Sequence, residues 1–330
     1  MSGDADGAGR RAAANRGPAA NRGPAANRRP AARFPIRLVA LDLDGTLIGD
    51  DLLLRDRTIA AIRGLVERGV SVSIVTGRMA TSALRFAREL RLTDPIVGYQ
   101  GALIRAIPER DDGRLGRLLL HRPLGAAATR EVIEWTRSIG LDPHINHLER
   151  IVIRSDDPRA EDYSAFLGGR AVVTDDLVAW VRRPVSKVIA VSETPIDHAV
   201  LDVARKRFVG RADVTISHPR FLEFIQPGVS KGSAVRWLAR RAGVPLEQVL
   251  AVGDQFNDLE MIAAAGHGAA MPHAPGPVRA AARYVAAPLE KEGTARLIEE
   301  LVLADRADAL RAAARFEAAA RAAAELPATA

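Results

Sequence analysis

The sequence predicts an α/β protein, a parallel-sheet core interrupted by an inserted α+β segment. Short apolar runs at 38–41, 70–75, 96–99 and 249–252 alternate with helical stripes, as strands joined by right-handed crossovers do. Between about residues 102 and 226 that alternation gives way to paired short strands. It resumes at Lys231, so the segments on either side of the insertion belong to one sheet.

A chain of 330 residues with 48% hydrophobic content can bury a sizeable core. It has no cysteine, hence no disulfide framework and no thiolate zinc site, which fits a reducing compartment. No apolar run reaches the roughly 18 residues of a membrane span. The N-terminal positive charges precede no apolar segment, so they do not read as a secretory signal, and the expected location is the cytoplasm. The formal net charge of +7 sits mostly in residues 1–33, where seven Arg face Asp4 and Asp6. The rest is close to balanced, so nucleic acid is an expected partner only through weak contact with that arm.

Residues 13–30 repeat Ala-Ala-Asn-Arg-Gly-Pro, the last copy carrying Arg29 in place of Gly. With no large apolar side chain to bury, residues 1–33 read as a disordered basic arm. The core is assigned to residues 34–101 and 227–304. Its first strand runs through Leu38-Val39-Ala40-Leu41 into Asp42-Leu43-Asp44-Gly45-Thr46. Ile59, Ile62, Leu65 and Val66 share a helical face that Gly69 closes. A second strand, 70–75, ends in Thr76-Gly77-Arg78. Ala83, Phe86, Ala87 and Leu90 mark the next helix, before a strand at 96–99.

The inserted segment, 102–226, reads as a helix at 125–139 and strands at 143–146 and 151–154. A helix at 160–167 and strands at 171–173 and 187–192 follow, then a helix at 195–209 and strands at 213–217 and 221–225. That order predicts an antiparallel sheet with helices on one side. Beyond it, Ala234, Val235 and Leu238 mark a helix opening at Lys231, followed by a strand at 249–252. A helix at 258–265, a strand at 268–271, a helix at 277–283, a strand at 284–286 and a helix at 294–304 complete the core. Residues 305–330, rich in Ala and Arg, have high helix propensity but little to bury, and read as a partly frayed helical tail.

Two carboxylates beyond the end of a buried strand lie where parallel sheets bind ligands. Crowding them calls for a cation or a proton held on one of them. Four fragments fit together: Asp42-x-Asp44-Gly45-Thr46, Thr76-Gly77-Arg78, Lys231, and Gly253-Asp254-x-x-Asn257-Asp258. Singly, each reads as a turn, a helix start or a solvated charge. Three of them follow strands, and in this order they converge on one sheet edge, with Lys231 reaching in from a helix start. His147, His218 and His273 lack metal-ligand spacing and read as solvated or core histidines.

On these motifs the chain resembles the haloacid dehalogenase superfamily, and within it the Cof-type sugar-phosphatase-like group. Asp-Leu-Asp-Gly-Thr-Leu, Thr-Gly-Arg, Gly-Val-Ser-Lys-Gly and Gly-Asp-Gln-Phe-Asn-Asp-Leu-Glu-Met all resemble that group's motifs, across about residues 36–304. The resemblance implies a Rossmann-like core and a C2-type cap over residues 102–226. It implies a Mg²⁺-dependent phosphatase acting on a small phosphorylated metabolite, with a sugar phosphate as the expected ester. Asp42 would be the nucleophile, forming an aspartyl-phosphate, and Asp44 would protonate the leaving oxygen and later deprotonate water. Mg²⁺ would be held by Asp42, Asp254 and the Asp44 backbone carbonyl, with Asp258 joining or supporting that set. Lys231, Thr76, Gly77 and the amides of the Leu43–Asp44 turn would hold phosphoryl oxygens.

Asn257 would bind phosphate or cap the following helix. Arg78 is expected to pair with a surface acid rather than face the site. Gln100-Gly101-Ala102 stands where the group has Asn-Gly-Ala, and Met271-Pro272-His273-Ala274 where it has Met-Gly-Asn-Ala. Both changes bear on substrate fit near the site entrance. The alternatives are a phosphotransferase or phosphomutase on the same fold, or a catalytically idle regulator tethered to RNA through the basic arm.

Overall fold

A computed structural model of the chain describes residues 35–110, 116–157 and 170–325. The repeat-bearing arm and the helix expected at 160–167 lie outside the described residues. The strands in chain order are β1 (Leu38–Leu41), β2 (Ser71–Ile74), β3 (Ile96–Gly98), β4 (Leu103–Arg105), β5 (Leu118–His121), β6 (Asp142–His147), β7 (Arg150–Arg154), β8 (Arg170–Thr174), β9 (Lys187–Val191), β10 (Asp213–His218), β11 (Phe221–Ile225), β12 (Val249–Gly253), β13 (His267–Ala270) and β14 (Tyr284–Val285). The α-helices are α1 (Asp56–Glu67), α2 (Ala80–Glu89), α3 (Ala126–Ser138), α4 (Leu177–Trp180), α5 (His198–Arg207), α6 (Lys231–Ala242), α7 (Leu259–Ala264), α8 (Gly276–Ala281), α9 (Gly293–Ile298) and α10 (Arg306–Glu325). None of the described helices is long and apolar enough to cross a membrane.

Five strands form a parallel sheet in the order β14-β13-β12-β1-β2. β1 lies inside it, Leu38 pairing with Val249 on one side and Ser71 on the other, so its run has no polar position. Val39 and Leu41 pack with Ile62, Leu65 and Phe86 of α1 and α2. Leu38 and Ala40 pack on the opposite face with Val235 and Leu238 of α6 and Met261 of α7. Helices on both faces bury β1 completely, the usual state of a parallel strand. From β1 the chain goes first to β2 on one side and later to β12 on the other. That reversal opens a crevice at the carboxyl ends of β1 and β12.

β3 joins the β2 edge through a single parallel bridge, Val75 to Val97, and pairs antiparallel with β4, which pairs with β5. The sequence reading contained neither β4 nor β5. Leu103-Ile104 lies between Gly101 and Pro108, too short a run to show a period. Residues 103–105 pair with β3 and residues 118–121 with β4, in a three-stranded sheet separate from the inserted one.

That second sheet runs β10-β11-β9-β6-β7-β8. It is antiparallel as expected except at its far edge, where β7 and β8 run parallel, a correction to the sequence reading. Ile145, Val188 and Phe224 pack against Val132, Trp135, Leu201 and Phe208 of α3 and α5 and the residue after α5. The registers Asn146 to Lys187, His144 to Ile189 and Ile189 to Glu223 put His144, Asn146, Lys187 and Glu223 on the other face.

The expected helix at 294–304 is α9 followed by a single π turn, Glu299–Leu303. The C-terminal segment is not frayed over its described part. Ala309, Ala312, Ala313 and Ala320 of α10 are buried, and Phe316 meets the Tyr284 ring edge-on at 6.3 Å. Alanines leave no stripe in a sequence, yet they let a helix lie close against the two-residue edge strand β14.

Candidate active site

β1 delivers Asp42 to the crevice, its backbone N–H bound to Val252 O at 3.0 Å. The chain then folds back tightly, Leu43 O accepting from the amides of both Leu47 and Ile48. Gly45 makes this turn possible: its φ is +73°, and a Cβ there would lie 2.5 Å from Asp254 Oδ2. β12 ends in Gly253, followed by Asp254 and the short turn that carries Asn257 and Asp258. Lys231 opens α6, a helix fixed at its start by a Ser230–Ser233 capping box and at its end by left-handed Gly243.

These pieces meet in one buried cluster. Lys231 Nζ lies 2.6 Å from Asp42 Oδ1 and 2.6 Å from Asp258 Oδ1. The other Asp258 oxygen accepts the backbone N–H groups of Asp254 at 3.0 Å and Gln255 at 2.9 Å. Asp254 accepts from Thr46 Oγ1 at 3.3 Å and Gln255 Nε2 at 3.2 Å, and His273 Nε2 stands 3.3 Å from it. His273, expected as a solvated or core histidine in a segment near the site entrance, is half-exposed and touches the site. Its hydrogen bond to Asp254 outweighs partial burial and raises its pKa.

Burial, then the charges of Asp258 and Asp254, push the Asp42 carboxyl well above the usual carboxylate range, with Lys231 opposing them. Burial also works against the Lys231 ammonium, but Asp258 and Asp42 outweigh it and hold the lysine charged. Three carboxylates, with one ligand oxygen from each within 4.8 Å of the others, face that single ammonium. The deficit is two positive charges, and the donors are all hard oxygens, so the set fits a divalent cation such as Mg²⁺. Both Asp258 oxygens are already bonded, which suits it to orienting Lys231 and the Asp254 turn more than to direct ligation.

Thr76 and Gly77 follow β2, whose end lies beside that of β1 through the Val75 N–H to Leu41 O bond at 2.8 Å. Thr76 Oγ1 accepts from the Arg78 amide at 3.1 Å and keeps its own proton to donate. The Gly77 carbonyl accepts from Lys187 Nζ at 2.8 Å. Arg78 pairs with an acid exposed at the surface, as expected, and that acid is Asp44 of the site itself. Its guanidinium forks onto both oxygens of half-exposed Asp44, with Nε 2.8 Å from Oδ2.

Of the two roles expected of Asn257, capping of the following helix is not the one it takes. It makes no cap bond to α7, and its Nδ2 donates to Gln100 Oε1 at 2.9 Å. Lys187 and Glu223, absent from the predicted site, join this edge of it together with Gln100, which was expected near the site entrance. Lys187 and Glu223 are buried charges inside apolar strands, and that interruption is the signal by which the sequence marks them.

A family model described as haloacid dehalogenase-like hydrolase matches residues 39–298. A 5-amino-6-(5-phospho-D-ribitylamino)uracil phosphatase of Bacillus subtilis is 28% identical over 271 residues, covering 80% of this chain and 96% of its own. An HMP-PP phosphatase of Cronobacter sakazakii is 30% identical over 72% of this chain and 85% of its own. Among solved structures, a haloacid dehalogenase-like hydrolase from Bacteroides thetaiotaomicron superposes with a TM-score of 0.68 at 27% identity, covering 80% of this chain and 99% of that one.

Proposed function

The chain belongs to the haloacid dehalogenase-like hydrolase family, and from that premise we propose that it hydrolyses a small phosphorylated metabolite, a sugar phosphate above all, through a phosphorylated Asp42. The observation that carries this is the convergence of Asp42, Asp254, Asp258 and Lys231 in one buried cluster at the carboxyl ends of β1 and β12. A binding protein has no need of a nucleophile, the role that Asp42 would fill in this cluster. The two relatives described above are both named as phosphatases, which supports the same class of reaction.

Asp42 Oδ attacks phosphorus as the bond from phosphorus to the ester oxygen breaks. Asp44 gives the leaving oxygen its proton, then takes one from the water that cleaves the acyl phosphate and frees Asp42. Arg78 has to release Asp44 before either transfer. Lys231 and the Thr76 hydroxyl hold phosphoryl oxygens as charge shifts, the positioning that phosphoryl transfer demands. Mg²⁺, held by Asp42 and Asp254 with Asp258 in support, would neutralise charge between nucleophile and substrate. The six-stranded sheet over the crevice acts as a cap that closes on the leaving group and excludes water.

Purified protein with Mg²⁺, screened against a panel of phosphate esters, should release inorganic phosphate, and EDTA should silence it. Undiminished hydrolysis in chelator would remove the metal from the mechanism. Transfer of phosphate to a sugar acceptor in place of water would make the enzyme a phosphotransferase.

A further inference from the structure

Away from the catalytic cluster, a cavity of about 970 Å³ opens where the inserted sheet meets β4. Arg105, His147, Arg150, Trp180, Arg182 and Arg183 line it, together with three carboxylates. His147 and Arg150 are register partners across β6 and β7, one residue out of step with Asn146 and Lys187. Successive strand residues point to opposite faces, so His147 and Arg150 share the helix-bearing face with Ile145. Lys187 reaches the Gly77 carbonyl in the catalytic crevice from the other.

The charges around this cavity do not cancel. Glu149 accepts from Arg105 Nε at 3.0 Å and from the Thr81 hydroxyl, Asp175 accepts from Ser155 Oγ, and Asp176 caps α4 through the amides of Val178 and Ala179. All three carboxylates are thus engaged. Arg150, Arg182 and Arg183 have neither a carboxylate nor a carbonyl partner among the described residues. The last two stand on an anchored turn, the Arg182 amide donating to Trp180 O at 2.9 Å and the Val185 amide to Leu124 O at 3.0 Å. His147 adds a buried Nδ1 with no hydrogen-bond partner among the described residues. Burial, then the nearby Arg183 and Arg150 charges, lower its pKa, so it meets a ligand as a neutral imidazole.

Guanidiniums without a counter-ion around a concavity match the oxygens of phosphate, which they bind through paired N–H groups. The half-buried Trp180 indole, 6.1 Å from the His147 ring and set at 70° to it, adds a flat wall on which a base can stack. A flat ring and a polyanion in one molecule describe a nucleotide. Three such cations call for more than a single phosphate, whose charge is about −1.5 to −2.

We propose that this cavity binds a nucleoside diphosphate apart from the catalytic crevice, its phosphates on Arg150, Arg182 and Arg183 and its base against Trp180. None of Asp42, Asp254, Asp258 or Lys231 takes part, so the site stands whether or not the chain is a phosphatase.

Calorimetric titration of ADP into the full chain, in EDTA so that no divalent cation serves the catalytic cluster, tests this. Saturable binding of one ADP with a Kd below about 0.1 mM is expected. Combining Arg182→Ala with Arg183→Ala, two exposed positions, should weaken ADP at least about tenfold with the circular dichroism spectrum unchanged. Trp180→Ala should weaken ADP about tenfold and leave inorganic pyrophosphate, which has no base, within about twofold. Absence of saturable binding to the wild type would overturn the proposal. So would ADP binding undiminished in the double arginine variant, which would put the nucleotide elsewhere, or equal weakening of ADP and pyrophosphate by Trp180→Ala, which would remove the stacked base.

Discussion

Two buried lysines meet opposite surroundings. Lys231 faces two carboxylates and stays charged, whereas burial outweighs Glu223 alone and lowers the Lys187 pKa. Replacing Lys187 with Met leaves Glu223 buried beside no cation, and thermal or denaturant unfolding should register a loss of about 3–5 kcal/mol. Asp42→Asn should cut turnover by about 10³-fold or more with the circular dichroism spectrum unchanged, and near-normal turnover would refute the nucleophile assignment. Thr76→Val, which deletes one phosphoryl donor, should lower kcat about 10²-fold. Asp42, Asp254, Asp258 and Lys231 were readable from the sequence because each ends a strand or opens a helix in a recognisable order. The partner of Asn257 was not, since Gln100 lies far from it along the chain. Nor was the partner of Arg78, because strand order alone does not say which way a half-exposed side chain turns.

Among the elements, α6 matters through its first residue. Ser230 accepts from the Ser233 amide at 3.1 Å and so fixes where Lys231 begins. Ser230→Ala should cost about 1 kcal/mol of stability and raise KM for phosphate esters, with unfolding curves and kinetics as the two readouts. On β6, His144 lies 2.7 Å from Asp157 and 3.6 Å from Asp142. Burial alone would lower its pKa, but hydrogen bonding and charge from both aspartates leave it above the ordinary 6.5. A histidine raised in this way stabilises the fold fully below about pH 6.5, and the contribution fades as pH rises through the folded value. The stability gap between wild type and His144→Gln should therefore be wide at pH 6 and narrow toward pH 9. The helical stripes of α1, α2 and α6 were legible from apolar spacing. α10 was misjudged because its contacts are made by alanines, whose burial leaves no pattern in the sequence.

At the scale of the whole molecule, side chains pin the second sheet over the first. Lys187 holds the Gly77 carbonyl, Tyr99 donates to Leu148 O, and Glu149 accepts from the Thr81 hydroxyl at 2.8 Å. Where the chain passes between the sheets, Arg122 donates to the carbonyls of Pro227 and Gly228. A cation bound only by the folded cluster stabilises it by mass action, so Mg²⁺ should raise the Tm of the wild type and leave that of Asp254→Asn unmoved. By itself the sequence determined the α/β class, the interruption of the core and the acids and lysine of the cluster, because periodicity and strand-end motifs are local properties of a chain. Only the tertiary structure decided the β3–β4–β5 pairing, the packing of α10, the Arg78–Asp44 fork and the Gln100–Glu223 hydrogen bond. Each of these depends on a partner distant in sequence, and no local pattern records which groups folding will bring within hydrogen-bonding distance.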